Sequence, residues 1–181
     1  MNTEILNDFI KIGEVSESLI EKYKNILPEE VIELWKNYGF GTFMNGYLKV
    51  INPDDYKTLL EWSYFEGNTS FPIFTTAFGD IITWEKNEYV GIVMYRYGDF
   101  DIISQGFEFF YDIISDEEMA EEYINMDEYN KAIKIHGSLK YDECFGYVPL
   151  LALGGKEVPE NLKKVKIREH IALITELTGG I

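Results

Sequence analysis

The chain has 181 residues, 46% of them hydrophobic, and its 16 Lys and Arg stand against 32 Asp and Glu for a net charge of -16 and a pI near 4.4. That length fits one domain, or one domain with an appended subdomain, and the single Cys144 excludes an internal disulfide. The charge argues against nucleic acid and anionic membranes as partners, because phosphate contacts need clustered Lys and Arg.

The first residues, Met1 to Phe9, carry Glu4 and Asp8 where a secretory signal would carry Lys or Arg and then an apolar run. No apolar stretch approaches the roughly 20 residues that span a bilayer, so a cytoplasmic protein is expected. Ser16 or Ser18 can cap a helix whose Leu19, Ile20, Tyr23, Ile26 and Leu27 face inward. Leu27-Pro28-Glu29-Glu30 opens a second helix, with Pro at its first position and Val31, Leu34, Trp35 and Tyr38 on one stripe up to Gly39. A strand is expected over Gly46 to Ile51. Asn52-Pro53-Asp54-Asp55 then starts a third helix carrying Tyr56, Leu59 and Leu60.

From Phe71 to Ser104 the pattern becomes short β-type runs, Pro72 to Phe78, Asp80 to Glu85, Tyr89 to Tyr95 and Phe100 to Ser104. Their connections, Gly79, Lys86-Asn87 and Gly98-Asp99, are so short that neighbouring strands must be antiparallel. The nearly continuous apolar run Phe145 to Leu153 reads as one more strand, buried on both faces or under a helix, with Pro149 marking an edge or a bulge. A last helix is expected over Arg168 to Thr178. The fold class that follows is α+β, a central and mainly antiparallel sheet flanked by helices in a single compact unit.

Between Tyr97 and Asn130 lie 11 of the acidic residues in 34 positions, with no Lys or Arg among them. The block reads as helices: Phe107, Phe110 and Ile114 share a stripe, Ser115 and Glu118 suit a capping box, and Asp127 can cap a further helix carrying Tyr129, Ala132, Ile133 and His136. Its acids therefore point outward. A solvated helix face and a landing surface for a basic protein both fit such charge. On the second reading Asp112, Asp116, Glu117, Glu121 and Glu122 steer a cationic partner, with Tyr111 and Tyr123 as anchors and Phe109 and Tyr129 nearby.

Chemistry is hard to place on this chain. Cys144, His136 and His170 lie in no nucleophile motif, and neither HExxH nor paired CxxC occurs, so no catalytic residue, metal or cofactor is assigned. Gly154-Gly155-Lys156 lacks the spacing of a phosphate loop. Lys156 to Arg168 holds five cations against two acids, an excess suited to internal pairing or to contact between copies.

Four phrases together carry a family likeness: Leu27-Pro28-Glu29-Glu30 with Leu34-Trp35 and Tyr38-Gly39-Phe40-Gly41; Tyr47-Leu48-Lys49-Val50-Ile51-Asn52-Pro53; Thr76-Ala77-Phe78-Gly79-Asp80-Ile81-Ile82-Thr83-Trp84; and Asp142-Glu143-Cys144-Phe145-Gly146-Tyr147 through Gly155. They resemble a GAD-like domain, here residues 1–105, followed by the C-terminal region of Tdi-type immunity proteins, here residues 106–181, packed as one unit. The resemblance implies a bacterial antitoxin without enzymatic activity or cofactor, which binds a cognate basic nuclease delivered by type VI secretion and occludes it stoichiometrically. It assigns no contact residues and leaves the oligomeric state open. The opening Leu-Pro-Glu-Glu phrase is shared with SUKH immunity domains, so a regulatory or scaffold module is the alternative. A small-molecule enzyme with a cleft near Asp80, Glu85 or Cys144 is a more distant one.

Overall fold

The computed structural model describes residues 4–181. Met1 to Thr3, where the segment read for a targeting signal begins, and the side chain of Glu117, one of the expected contacts, lie outside the described residues. Seven strands form one antiparallel meander in chain order: β1 (Ile10–Gly13), β2 (Phe40–Phe43), β3 (Leu48–Val50), β4 (Phe71–Thr75), β5 (Ile81–Glu85), β6 (Tyr89–Met94) and β7 (Asp99–Gln105). A separate antiparallel pair, β8 (Glu143–Tyr147) and β9 (Leu162–Lys166), completes the β structure among the described residues. The helices are α1 (Glu17–Tyr23), α2 (Glu29–Asn37), α3 (Pro53–Ser63), α4 (Phe110–Ser115), α5 (Glu117–Ile124), α6 (Met126–His136) and α7 (Ile167–Thr178). The α+β class expected from the sequence holds.

Local chemistry accounts for most of these boundaries. Ser16 Oγ accepts the Leu19 N–H at 3.3 Å to start α1, and Asn52 Oδ1 accepts the Asp54 N–H at 3.1 Å to start α3, with Pro53 inside its first turn. Pro28 stands just before α2 rather than at its first position. Lys86 and Asn87 take φ of 54° and 55°, the left-handed pair at the centre of the tight turn between β5 and β6, which the Glu88 N–H closes on the Glu85 carbonyl at 3.0 Å.

Both faces of the central strands are covered, and β5 is buried at all five positions. One core joins Leu19, Val31, Leu34 and Trp35 from α1 and α2 to Phe43, Phe74, Ile82 and Ile92 of the sheet and to Phe110, Ile114, Ala120, Ile124 and Tyr129 of α4–α6. On the opposite face a second core packs Tyr56 and Leu60 of α3 with Ile81, Val93, Cys144, Ile167, Ile171 and Ile174. Rings bind the first core across long sequence distances: Phe74 stacks on Phe110 with centroids 5.7 Å apart, and Tyr47 meets Tyr129 edge-on at 5.1 Å.

Several expectations fail locally. The run Phe145 to Leu153 is not one strand: β8 ends at Tyr147, and Leu151–Leu153 forms a single 3-10 turn with Ala152 and Leu153 exposed. Pro149 has no N–H to extend a ladder, and the tail of the run turns back on itself through the Gly155 N–H, which donates to the Leu150 carbonyl at 3.0 Å. The cap of α5 is Asp116, which accepts the Glu118 and Met119 N–H groups at 3.1 and 3.0 Å, while the Ser115 hydroxyl donates back to the Tyr111 carbonyl. Asp127 does not cap α6, whose N-cap is Asn125. By contrast, the internal pairing expected of the basic stretch Lys156 to Arg168 is met at Lys166, which lies on β9 with Lys163 and Lys164 and pairs with Asp142 at 2.5 Å.

Candidate functional site: an acidic helical ridge between two grooves

Helices α4 to α6 follow one another with almost no linker. Asp116 alone separates α4 from α5, and Asn125, left-handed at φ 31°, separates α5 from α6. Apolar faces fix their orientation: Phe110, Tyr111, Ile114, Ala120, Ile124 and Tyr129 are all buried. Asp112, Asp116, Glu118 and Glu122 consequently stand exposed, and Glu121 is half-buried, its Oε2 accepting the Asp127 N–H at 3.2 Å. No ion pair among the described residues engages an acid between Asp99 and Glu128.

Two grooves flank α5. One, of about 570 Å³, is lined by Ser104 and Gln105 at the end of β7 and by Phe109, Asp112, Ile113, Asp116 and Met119. Phe109 and Met119 are 54% and 51% exposed, so a carboxylate rim surrounds an apolar floor. The other, of about 740 Å³, runs along Met44, Ile114, Ala120, Glu121, Met126 and Asp127. Half-buried Tyr123 lies on α5, where burial first, then the Glu122 and Asp101 carboxylates, raise its phenol above the ordinary range. That influence places Asp101 of β7 in the same acidic field as α5.

Of the two expected anchors, Tyr123 is accessible and Tyr111 is not. Tyr111 is fully buried against Phe107 and Phe110, because the α4 stripe that points inward includes position 111. Tyr129 is also buried, its hydroxyl donating to the Asn45 carbonyl at 2.8 Å. Phe109 and Met119 supply the exposed apolar surface instead. The sequence signal for Met119 was its place one residue off the buried stripe of α5.

A buried polar joint supports the ridge from behind. The Arg96 guanidinium stacks 4.2 Å from the Phe78 ring centroid, lies 3.8 Å from the Asp80 carboxylate and donates to the Asn125 side-chain oxygen at the α5–α6 junction. Tyr147 of β8 donates to Glu128 of α6. Asp80, Glu85 and Cys144, the positions considered for an enzyme, are buried and line neither groove beside α5. Burial pushes the Cys144 thiol up to about 12, far from a reactive thiolate. Among the described residues, no group of three or more His, Cys, Asp or Glu is placed to hold a metal, and no helix is long and apolar enough to cross a membrane.

Fold and site together define an α+β protein that offers a charged, partly apolar helical surface. The chain belongs to the GAD-like domain family, whose model matches residues 3–96, and residues 104–178 match the model of the C-terminal region of the T6SS immunity protein Tdi1. The likeness to type VI secretion immunity proteins read from its motifs is thereby established, and it implies a toxin partner and a non-enzymatic role; neither matched model is of the SUKH kind. No curated protein matches the chain. Its fold is shared with the crystal structure of Atu4351 from Agrobacterium tumefaciens, at a TM-score of 0.72 and 18% identity over 96% of this chain and 88% of that one.

Proposed function

We propose that this immunity protein neutralises a cognate basic DNase by stoichiometric occlusion, using the α4–α5 ridge and its grooves as the contact surface. The observation that carries this reading is the acidic block itself: Asp112, Asp116, Glu118 and Glu122 are exposed, no ion pair among the described residues engages them, and they stand around exposed Phe109 and Met119. A nuclease must present cations to hold phosphates, and the same cations are what this surface attracts. Asp112, Asp116 and Glu122 steer the encounter, with Glu117 and Glu121 adding to the field. Tyr123, Phe109 and Met119 govern how long the complex lasts.

Co-expression with the reading frame beside its gene tests the proposal. Chromosomal DNA is expected to stay intact when both proteins are present and to be degraded when this chain is omitted, with the two copurifying at equal stoichiometry. A neighbour that is harmless alone, or that still degrades DNA at equal levels of this chain, overturns that pairing.

A further inference from the structure

The last strand of the main sheet ends in an unused edge. β7 pairs with β6 on one side, and its first four residues, Asp99, Phe100, Asp101 and Ile102, are all exposed although they point alternately to opposite faces. In an antiparallel ladder every second N–H of an edge strand faces away from its neighbour. Here two of them, at Phe100 and Ile102, donate to the carboxylates of Asp99 and Asp101 at 2.9 and 2.7 Å. At these two positions the edge is closed by its own acids.

We infer that β7 is a docking edge that accepts an extended segment of a basic partner as an eighth strand. The segment's pattern follows from the faces. Asp101 lies on the α5 side, opposite Ile92 and near enough to act on the Tyr123 phenol, whereas Phe100 lies opposite Val93 on the other side, its ring 5.0 Å from that of Phe65. Phe100, Ile102 and Phe65 are 40%, 37% and 60% exposed. A fitting strand alternates Lys or Arg with apolar residues: its cations draw the two carboxylates off the Phe100 and Ile102 N–H groups, and its carbonyls replace them. A second copy of the chain pairing β7 with β7 fits badly, because a two-fold axis would set the Asp99 and Asp101 rows of both copies side by side. The partner's basic character rests on the immunity reading; the accepting edge does not.

A synthetic peptide of four Lys alternating with three Val, acetylated and amidated, probes the edge on the full-length protein at low salt. Its control has the same composition with the Lys and Val in separate blocks. The alternating peptide is expected to bind tighter than the blocked one and to slow amide exchange at Phe100 and Ile102. Ile102→Pro deletes one outward donor and leaves the β6 ladder whole, so it should weaken binding about tenfold, as loss of a charge-flanked hydrogen bond would, with little change in Tm. Equal binding of the two peptides, no binding at all, unchanged exchange at both amides, or full affinity in a folded Ile102→Pro protein each overturns the inference. Should Ile102→Pro unfold the chain, exchange at the wild-type amides still decides. Concentration-dependent self-association that Ile102→Pro removes would reassign the edge to a second copy. Because no toxin enters this experiment, its failure and that of the co-expression test are separable.

Discussion

Lys49 occupies a position where an ammonium is out of place. It sits on β3 between Leu48 and Val50, which face the α1–α2 core, so its side chain enters the opposite core. There it is fully buried, and neither its Nζ nor the Oγ1 of Thr75, its partner on β4, has a hydrogen-bond partner among the described residues. Burial lowers its affinity for a proton to about 8, with Cys144 and Glu143 acting weakly the other way. The sign follows: below about 8 the folded chain carries a buried charge, between 8 and 10.5 the folded lysine is neutral while the unfolded one still binds a proton, and stability rises with pH across that window. Lys49→Met should therefore stabilise the protein by about 1–3 kcal/mol at neutral pH, and the gain should shrink above pH 8. Chemical unfolding of both proteins at several pH values checks it, and a difference that stays constant up to pH 10 would show that folding does not shift the ionisation of Lys49. The strand position of Lys49 was legible in the sequence, within the run Gly46 to Ile51. Its inward direction was not, because alternation alone makes a lysine in a strand read as solvent-facing when only one face is assumed buried.

Asp116 shows how one element carries a structural and an electrostatic duty together. Its carboxylate caps α5 and also stands on the rim of the Phe109–Met119 groove. Asp116→Ala removes both duties and should cost about 1 kcal/mol of stability, whereas Asp116→Asn keeps a capping oxygen and removes only the charge. The asparagine variant is expected to hold its Tm and yet associate more slowly with the toxin at low salt. Stopped-flow association beside thermal melts separates the two, and equal rates for wild type and Asp116→Asn would take this rim out of the steering surface. Glu122→Lys, at an exposed position without a cap to lose, should slow association further and flatten its salt dependence. At this scale the sequence was readable where start, stripe or stop signals ran together, as in α2, α3 and α7. It was not readable for β1, β2 and β9, each four or five residues long, whose pairing is decided by partners distant in the chain. The acidic face was visible from charge and periodicity, but its grooves arise from how α4, α5 and β7 meet, which no local pattern records.

Side-chain contacts join the two matched regions, and that bears on how the surface works. Phe74 of the first region packs on Phe107 and Phe110 of the second, Phe78 meets Phe145, and Arg96 reaches Asn125 at the hinge of the acidic helices. α3 also packs on α7, and the Phe65 N–H donates to the carbonyl of Ile181 at 2.7 Å. Separating residues 1–105 from 106–181 would expose both cores, so neither part should fold alone and urea should unfold the whole in a single step. The probes differ in coverage: Trp35, Trp62 and Trp84 all lie in the first region, whereas far-ultraviolet dichroism reads the helices of both, α1 to α3 and α4 to α7. Coincident midpoints from Trp fluorescence and far-ultraviolet dichroism are expected; separated midpoints would mean two folding units. The net charge of -16 adds a second expectation, since self-repulsion weakens the compact state and salt screens it. Raising NaCl from 20 mM to about 500 mM, which shortens the Debye length below the spacing of most surface charges, should raise Tm while slowing association with a basic partner. The same carboxylates produce both effects with opposite signs, and reversing Asp112 and Glu122 to Lys should diminish both together. If the salt dependence of association fell while that of Tm stayed whole, the repulsion that limits stability would lie elsewhere on the molecule than on the binding ridge.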